Sequence, residues 1–139
     1  MQKIFFSLTL FLFLQITQAK QSLTETEKLA TTAKVWGFLK YYHPTVASGK
    51  YDWDKELFNI LFQVEKAKNK KEFSEVIENW IASLGEVKKV APIVVSSEIK
   101  YFDKNLNAAW LNNSHFFSNS LSKKLTFRLE NRLQSNHFY

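Results

Sequence analysis

From Thr24 onward, Leu29, Ala33, Trp36 and Leu39 recur at helical intervals, and Val35, Phe38 and Tyr42 form a neighbouring stripe. That spacing predicts a helix over 24–42. Thr24 and Glu27 fit a capping box, in which each side chain covers the other residue's exposed backbone N–H. Pro44 marks the stop, because the residue before a proline is pushed out of the helical region. Residues 46–50 read as a connecting loop. Asp52 can cap a second helix, whose Leu57, Ile60, Leu61 and Val64 make an i, i+3, i+4, i+7 face ending near Lys68. The third helix has the most continuous stripe, formed by Phe73, Val76, Ile77, Trp80, Ile81 and Leu84, and Gly85 stands where a left-handed cap belongs.

Three apolar stripes joined by short polar links predict an all-α fold, a small helical bundle with its core in residues 20–85. Residues 86–139 read more loosely. Residues 90–95 are rich in β-branched side chains, but a lone strand has nothing to pair with, so an extended segment lying on the bundle is expected. Residues 106–111 are too short to assign. Leu121, Leu125, Leu129 and Leu133, spaced by four, predict a fourth helix over 118–133.

The N-terminus changes the picture. Met1-Gln2-Lys3 precedes an apolar run from Ile4 to Leu14, then Thr17 and Ala19, which is the three-part plan of a secretory signal peptide cleaved after Ala19. The run falls well short of the roughly 20 apolar residues that cross a bilayer core. An exported protein, periplasmic or extracellular, is expected, with no membrane association after cleavage. The chain has no Cys, so neither disulfides nor a thioether-linked lipid is available, and stability rests on burial. Loss of Lys3 with the leader lowers the formal net charge from +6 to +5. Such a surplus, interspersed with Asp and Glu, describes a mildly basic mixed-charge surface, unlike the one-sided basic faces of nucleic-acid binders. The densest basic cluster, Lys66, Lys68, Lys70 and Lys71, falls where the second and third helices should meet in a polar turn.

Candidate chemistry is sparse. His43, His115 and His137 are far apart in sequence and no Cys accompanies them, so neither a zinc site nor any other cofactor is expected. Ser96 and Ser97 lie near Lys100, the elements of a Ser–Lys dyad, but no glycine-rich turn offers oxyanion donors and nothing buries the lysine. Asp52, Asp54 and Glu56 cluster at a predicted helix start, where the dipole favours negative charge. A weak Ca²⁺ or general-acid role is the alternative for them. No catalytic residue is assigned.

The densest aromatic segment is Trp36-Gly37-Phe38-Leu39-Lys40-Tyr41-Tyr42-His43-Pro44, followed after a short loop by Tyr51-Asp52-Trp53-Asp54. Two readings stand. In one, Trp36 and Tyr42 are core, Tyr41 lies flat on the surface and His43 is a charged helix-end residue. In the other, Lys40, Tyr41, His43 and Trp53 form an aromatic-basic surface that holds a partner domain or an extended peptide.

Residues 34–44, together with 51–57, resemble the N-terminal helical region of exported bacterial S41-family serine peptidases, relatives of the C-terminal processing proteases. Trp110, the Leu121 to Leu125 stretch and Asn131-Arg132 resemble the segment leading toward the peptidase domain, although Ser135 stands where a glycine is expected. The resemblance implies a catalytic Ser and Lys on a later domain, beyond Tyr139, and none of the residues here matches them. It therefore implies a non-catalytic N-terminal domain, a fragment that packs against an S41 peptidase domain or guides substrate to it. The motif positions Trp36, Gly37, Lys40, Tyr41, Tyr42, His43, Pro44, Trp53 and Asp54 would serve structure or docking. The competing expectation is a free-standing exported module that binds a protein or peptide.

Overall fold

The capping signals act where the sequence places them. In a computed structural model, which describes residues 22–49, 51–92 and 107–134, Thr24 Oγ1 accepts from the Glu27 N–H at 3.2 Å and the Glu27 carboxylate accepts from the Thr24 N–H at 2.9 Å. This capping box opens α1, Glu25–Tyr42. His43, ahead of the proline, takes an extended conformation and ends the helix. Pro44 then occupies the first position of a single turn, α2, Pro44–Ala47. Asp52 Oδ1 accepts from the Lys55 N–H and starts α3, Trp53–Glu65. Asn69 caps α4, Lys70–Ser83, and Gly85 follows it with a positive φ of 93°, a conformation a side chain would oppose. After a 3₁₀ turn at Ala109–Asn112, Ser118 caps α5, Asn119–Glu130.

The fold is all-α, a small helical bundle with no strand among the described residues. α1 packs on α2 and α3, α3 on α4, and α4 on α5. One apolar core runs through all of them, from Val35 and Leu39 through Ile60, Phe73 and Ile77 to Leu111, Leu121 and Leu125. It therefore extends past residue 85. Among the described residues no helix is long and apolar enough to cross a membrane.

Several expectations need correction. The expected face of α1 holds in its C-terminal half, where Val35, Phe38 and Leu39 are buried and Trp36 and Tyr42 pack against the core, but Leu29 and Ala33 are exposed and Lys28, Thr31 and Thr32 turn inward in their place. Lys28 meets the free carbonyls at the end of α3. Lys28 Nζ donates to the Glu65 carbonyl at 2.8 Å and to the Ala67 carbonyl at 3.1 Å, bringing positive charge to a helix C-terminus. Thr32 buries its hydroxyl by donating to the Lys28 carbonyl at 2.7 Å. The loop expected at 46–50 begins as helix, with Val46 and Ala47 buried, because Pro44 is preorganised for a first turn. The second long helix ends at Glu65, three residues before Lys68. The segment left unassigned holds the 3₁₀ turn that buries Leu111. The proposed signal peptide, residues 93–95 of the extended segment and the C-terminal 135–139 lie outside the described residues.

Beside the shared core, polar contacts tie α5 to α4: the Ser118 N–H donates to Ser74 Oγ at 2.9 Å, and one α4 carboxylate gathers three further donors. Glu78 accepts from Ser118 Oγ at 3.1 Å, Ser120 Oγ at 3.0 Å and Lys124 Nζ at 2.6 Å. Burial works against the charge on Glu78, but these donors outweigh it and hold its pKa below the usual carboxylate value.

Trp80 sits in the middle of the α4 stripe, 6 % exposed, with its ring stacked 5.2 Å from that of Trp53. Trp80→Ala is expected to destabilise the protein by about 3–5 kcal/mol, the range for truncating a large buried aromatic. An unchanged urea midpoint would show that this stripe is not the centre of the core.

Candidate functional site

The aromatic segment folds into a corner between α1 and α3, and its centre is a reciprocal exchange. Trp36 Nε1 donates to the Trp53 carbonyl at 2.8 Å, and Trp53 Nε1 donates to the Trp36 carbonyl at 3.1 Å. An indole N–H needs a partner when buried, and here each tryptophan supplies the acceptor for the other. Trp53 begins α3, so its carbonyl lies close to α1 because Asp52 starts the helix there.

Around this clasp the motif residues divide between inside and outside. Trp53 is 3 % exposed and His43 fully buried, so the surface drawn through Lys40, Tyr41, His43 and Trp53 does not form. Tyr42 is half-buried and stacks on Phe38 with ring centroids 4.8 Å apart. Pro44 is half-buried at the start of α2. Asp54 is exposed in the first turn of α3, where the helix dipole accounts for it. Lys40 places its ammonium 5.0 Å from the Trp36 ring centroid, a cation–π contact. Tyr41 is 51 % exposed. Gly37, one residue past Trp36 on α1, is half-buried, and a Cβ built on it meets nothing within 4 Å.

His43 is not the charged helix-end residue expected from its position. Neither ring nitrogen has a hydrogen-bond partner among the described residues. Burial, and then the positive charge of Arg128, push its pKa down from 6.5 to about 4, so the ring is held neutral. Arg128 is itself partly desolvated, which lowers its pKa, and it donates from Nη1 to the Lys124 carbonyl at 3.0 Å.

Other polar connections were hidden in the sequence. Glu27, besides capping α1, meets His115 Nε2 at 2.8 Å across 88 positions of chain. Hydrogen bonds from His115 and then from Thr24 lower the Glu27 pKa to about 2. Local sequence carries no signal for that pair, nor for the burial of Lys28. Among the described residues no group of three His, Asp or Glu side chains gathers as a metal site would require. Ser96, Ser97 and Lys100 lie outside the described residues. No family model, curated protein or solved structure matches this chain.

The depressed His43 pKa has a definite sign. The unfolded chain takes up a proton near pH 6.5, and the folded protein resists until about pH 4. Stability from this residue is therefore full above pH 6.5 and declines as pH falls toward 4, by about 3 kcal/mol. His43→Leu, which removes the titrating ring and its unpaired nitrogens, should flatten the stability profile across that window and leave the protein at least as stable at pH 7. Urea melts of both proteins at a series of pH values test this; parallel profiles would show that His43 is not the titrating group.

Proposed function

We propose that this chain is the non-catalytic N-terminal helical domain of an exported S41-like serine peptidase, and that the outer face of α1 around Gly37 and Tyr41 packs against the peptidase domain. The observation that carries this reading is Gly37. A glycine inside a helix costs about 1 kcal/mol relative to alanine, and no atom within 4 Å of its would-be Cβ requires the space. A close-approaching surface outside the described fold gives that space a use. One turn further on, the half-exposed Tyr41 ring is suited to an interface, where aromatic side chains combine apolar area with a polar tip. The buried part of the motif, with its Trp36–Trp53 clasp, then holds this face rigid. In this proposal the chain supplies no nucleophile or oxyanion donors of its own.

A second reading, a free-standing peptide binder, is favoured by an open groove of about 610 Å³ bordered by Lys89, Phe127 and Arg132. Reading the coding sequence beyond the Tyr139 codon in all three frames separates the two. An S41 domain there supplies the partner for a binding experiment, and its absence favours the free-standing module.

With that domain added in trans, Tyr41→Ser should leave folding stability within about 0.5 kcal/mol, as for a surface change, yet weaken binding about tenfold or more. Gly37→Ala should raise stability by up to about 1 kcal/mol and also weaken binding. Undiminished binding by both variants, measured by titration calorimetry beside denaturant melts, would remove this face from the proposal. The purified chain should leave casein intact; cleavage abolished by Ser97→Ala would establish catalysis instead.

A further inference from the structure

α3 buries Ile60 and Val64 against the bundle and turns two phenylalanines away from it: Phe58 is 64 % exposed and Phe62 is 68 % exposed. They lie four residues apart, one above the other on the same stripe. The stripe continues to Lys55 on one side and Glu65 on the other, both exposed, and neither makes an ion pair among the described residues. Lys55 stands as many residues before Ile60 as Glu65 stands after it, and Phe58 and Phe62 flank Ile60 equally.

This symmetry chooses the occupant. We infer that the Phe58–Phe62 face of α3 pairs with the same face of a second copy of this chain, the two helices running antiparallel about a two-fold axis level with Ile60. A two-fold interface is self-complementary, so each contact occurs twice. In this register Phe58 meets Phe62 of the second copy, and Lys55 meets Glu65 of the second copy. Asp54 comes level with Lys66 at the outer ends. A parallel arrangement would instead set Lys55 beside Lys55 and Glu65 beside Glu65, a like-charge penalty. The spacing of Lys55, Phe58, Phe62 and Glu65 by three, four and three residues is that of a seam between packed helices.

The interface is small. Two largely exposed phenylalanines per copy, at about 150–250 Å² each when fully buried, supply well under the roughly 1,200–2,000 Å² of a standard stable interface. A weak, reversible dimer follows. It uses a different face from the one assigned to the peptidase domain, so either proposal can fail without the other.

The test is sedimentation velocity of the full chain, expressed from Met1 with the host's own processing, over a wide concentration series. The wild type should pass from monomer to dimer as concentration rises. Phe62→Ser should move the midpoint at least about tenfold higher. Lys55→Glu, which sets a second carboxylate against Glu65 of the other copy, should weaken association by a similar factor, and adding Glu65→Lys should restore it. Circular dichroism confirms that each variant remains helical, as expected for exposed positions. A wild type that stays monomeric throughout, association indifferent to Phe62→Ser, or a charge swap that fails to recover association would each overturn the inference.

Discussion

Two tryptophans that satisfy each other hold α1 against α3. Trp36 and Trp53 exchange indole donors and backbone acceptors across the α1–α3 contact, and much of the remaining packing depends on that spacing. It brings the α3 terminus within reach of Lys28. It seats Trp53 on Trp80 and so joins α3 to α4. A hydrogen bond between neutral groups is modest in net value, but removing one partner here would strand a donor or an acceptor inside the protein, where the cost is larger. Burial of the ring and satisfaction of its N–H are therefore one constraint on the corner.

Much of the architecture was legible because it is local. A cap is a relation between residues three apart, which is why Thr24 with Glu27, Asp52 with Lys55 and the glycine after Leu84 stand out in sequence. The stripe of α4 is continuous because that helix packs between α3 and α5. α1 was harder to read, since its buried face contains a lysine and two threonines. The lysine answers to the end of another helix, and nothing nearby in sequence announces it. The same holds for His43, whose place before a proline suggested an exposed helix end although the core closes over it.

The candidate site was legible as composition and misleading as a surface. A dense run of aromatics marks importance without saying which ring faces water. Helical geometry then separates consecutive members of the run, sending Trp36 and Tyr42 partly inward and Tyr41 outward, while the α3 start draws Trp53 into the core. The result is a largely buried scaffold with Tyr41 at its exposed margin. In contrast, Phe58 and Phe62 belong to no dense cluster. Their position off the Leu57, Ile60, Leu61 and Val64 face was the available signal.

The attachment of α5 through Glu78 bears on how freely the chain can vary. The Lys124 contact to Glu78 spans 46 positions, against 17 for the tryptophan exchange. Closing the longer loop costs only about 0.9 kcal/mol more, because loop entropy grows with the logarithm of length. Doubling a flexible loop adds just about 0.6 kcal/mol. What α5 requires is its place in the core through Leu121 and Leu125, a cap at Ser118 and a carboxylate on α4, with little entropic dependence on the distance along the chain between them. A change of length between these helices thus costs little in loop entropy, provided the buried Leu111 and Phe117 and the two anchored ends are kept.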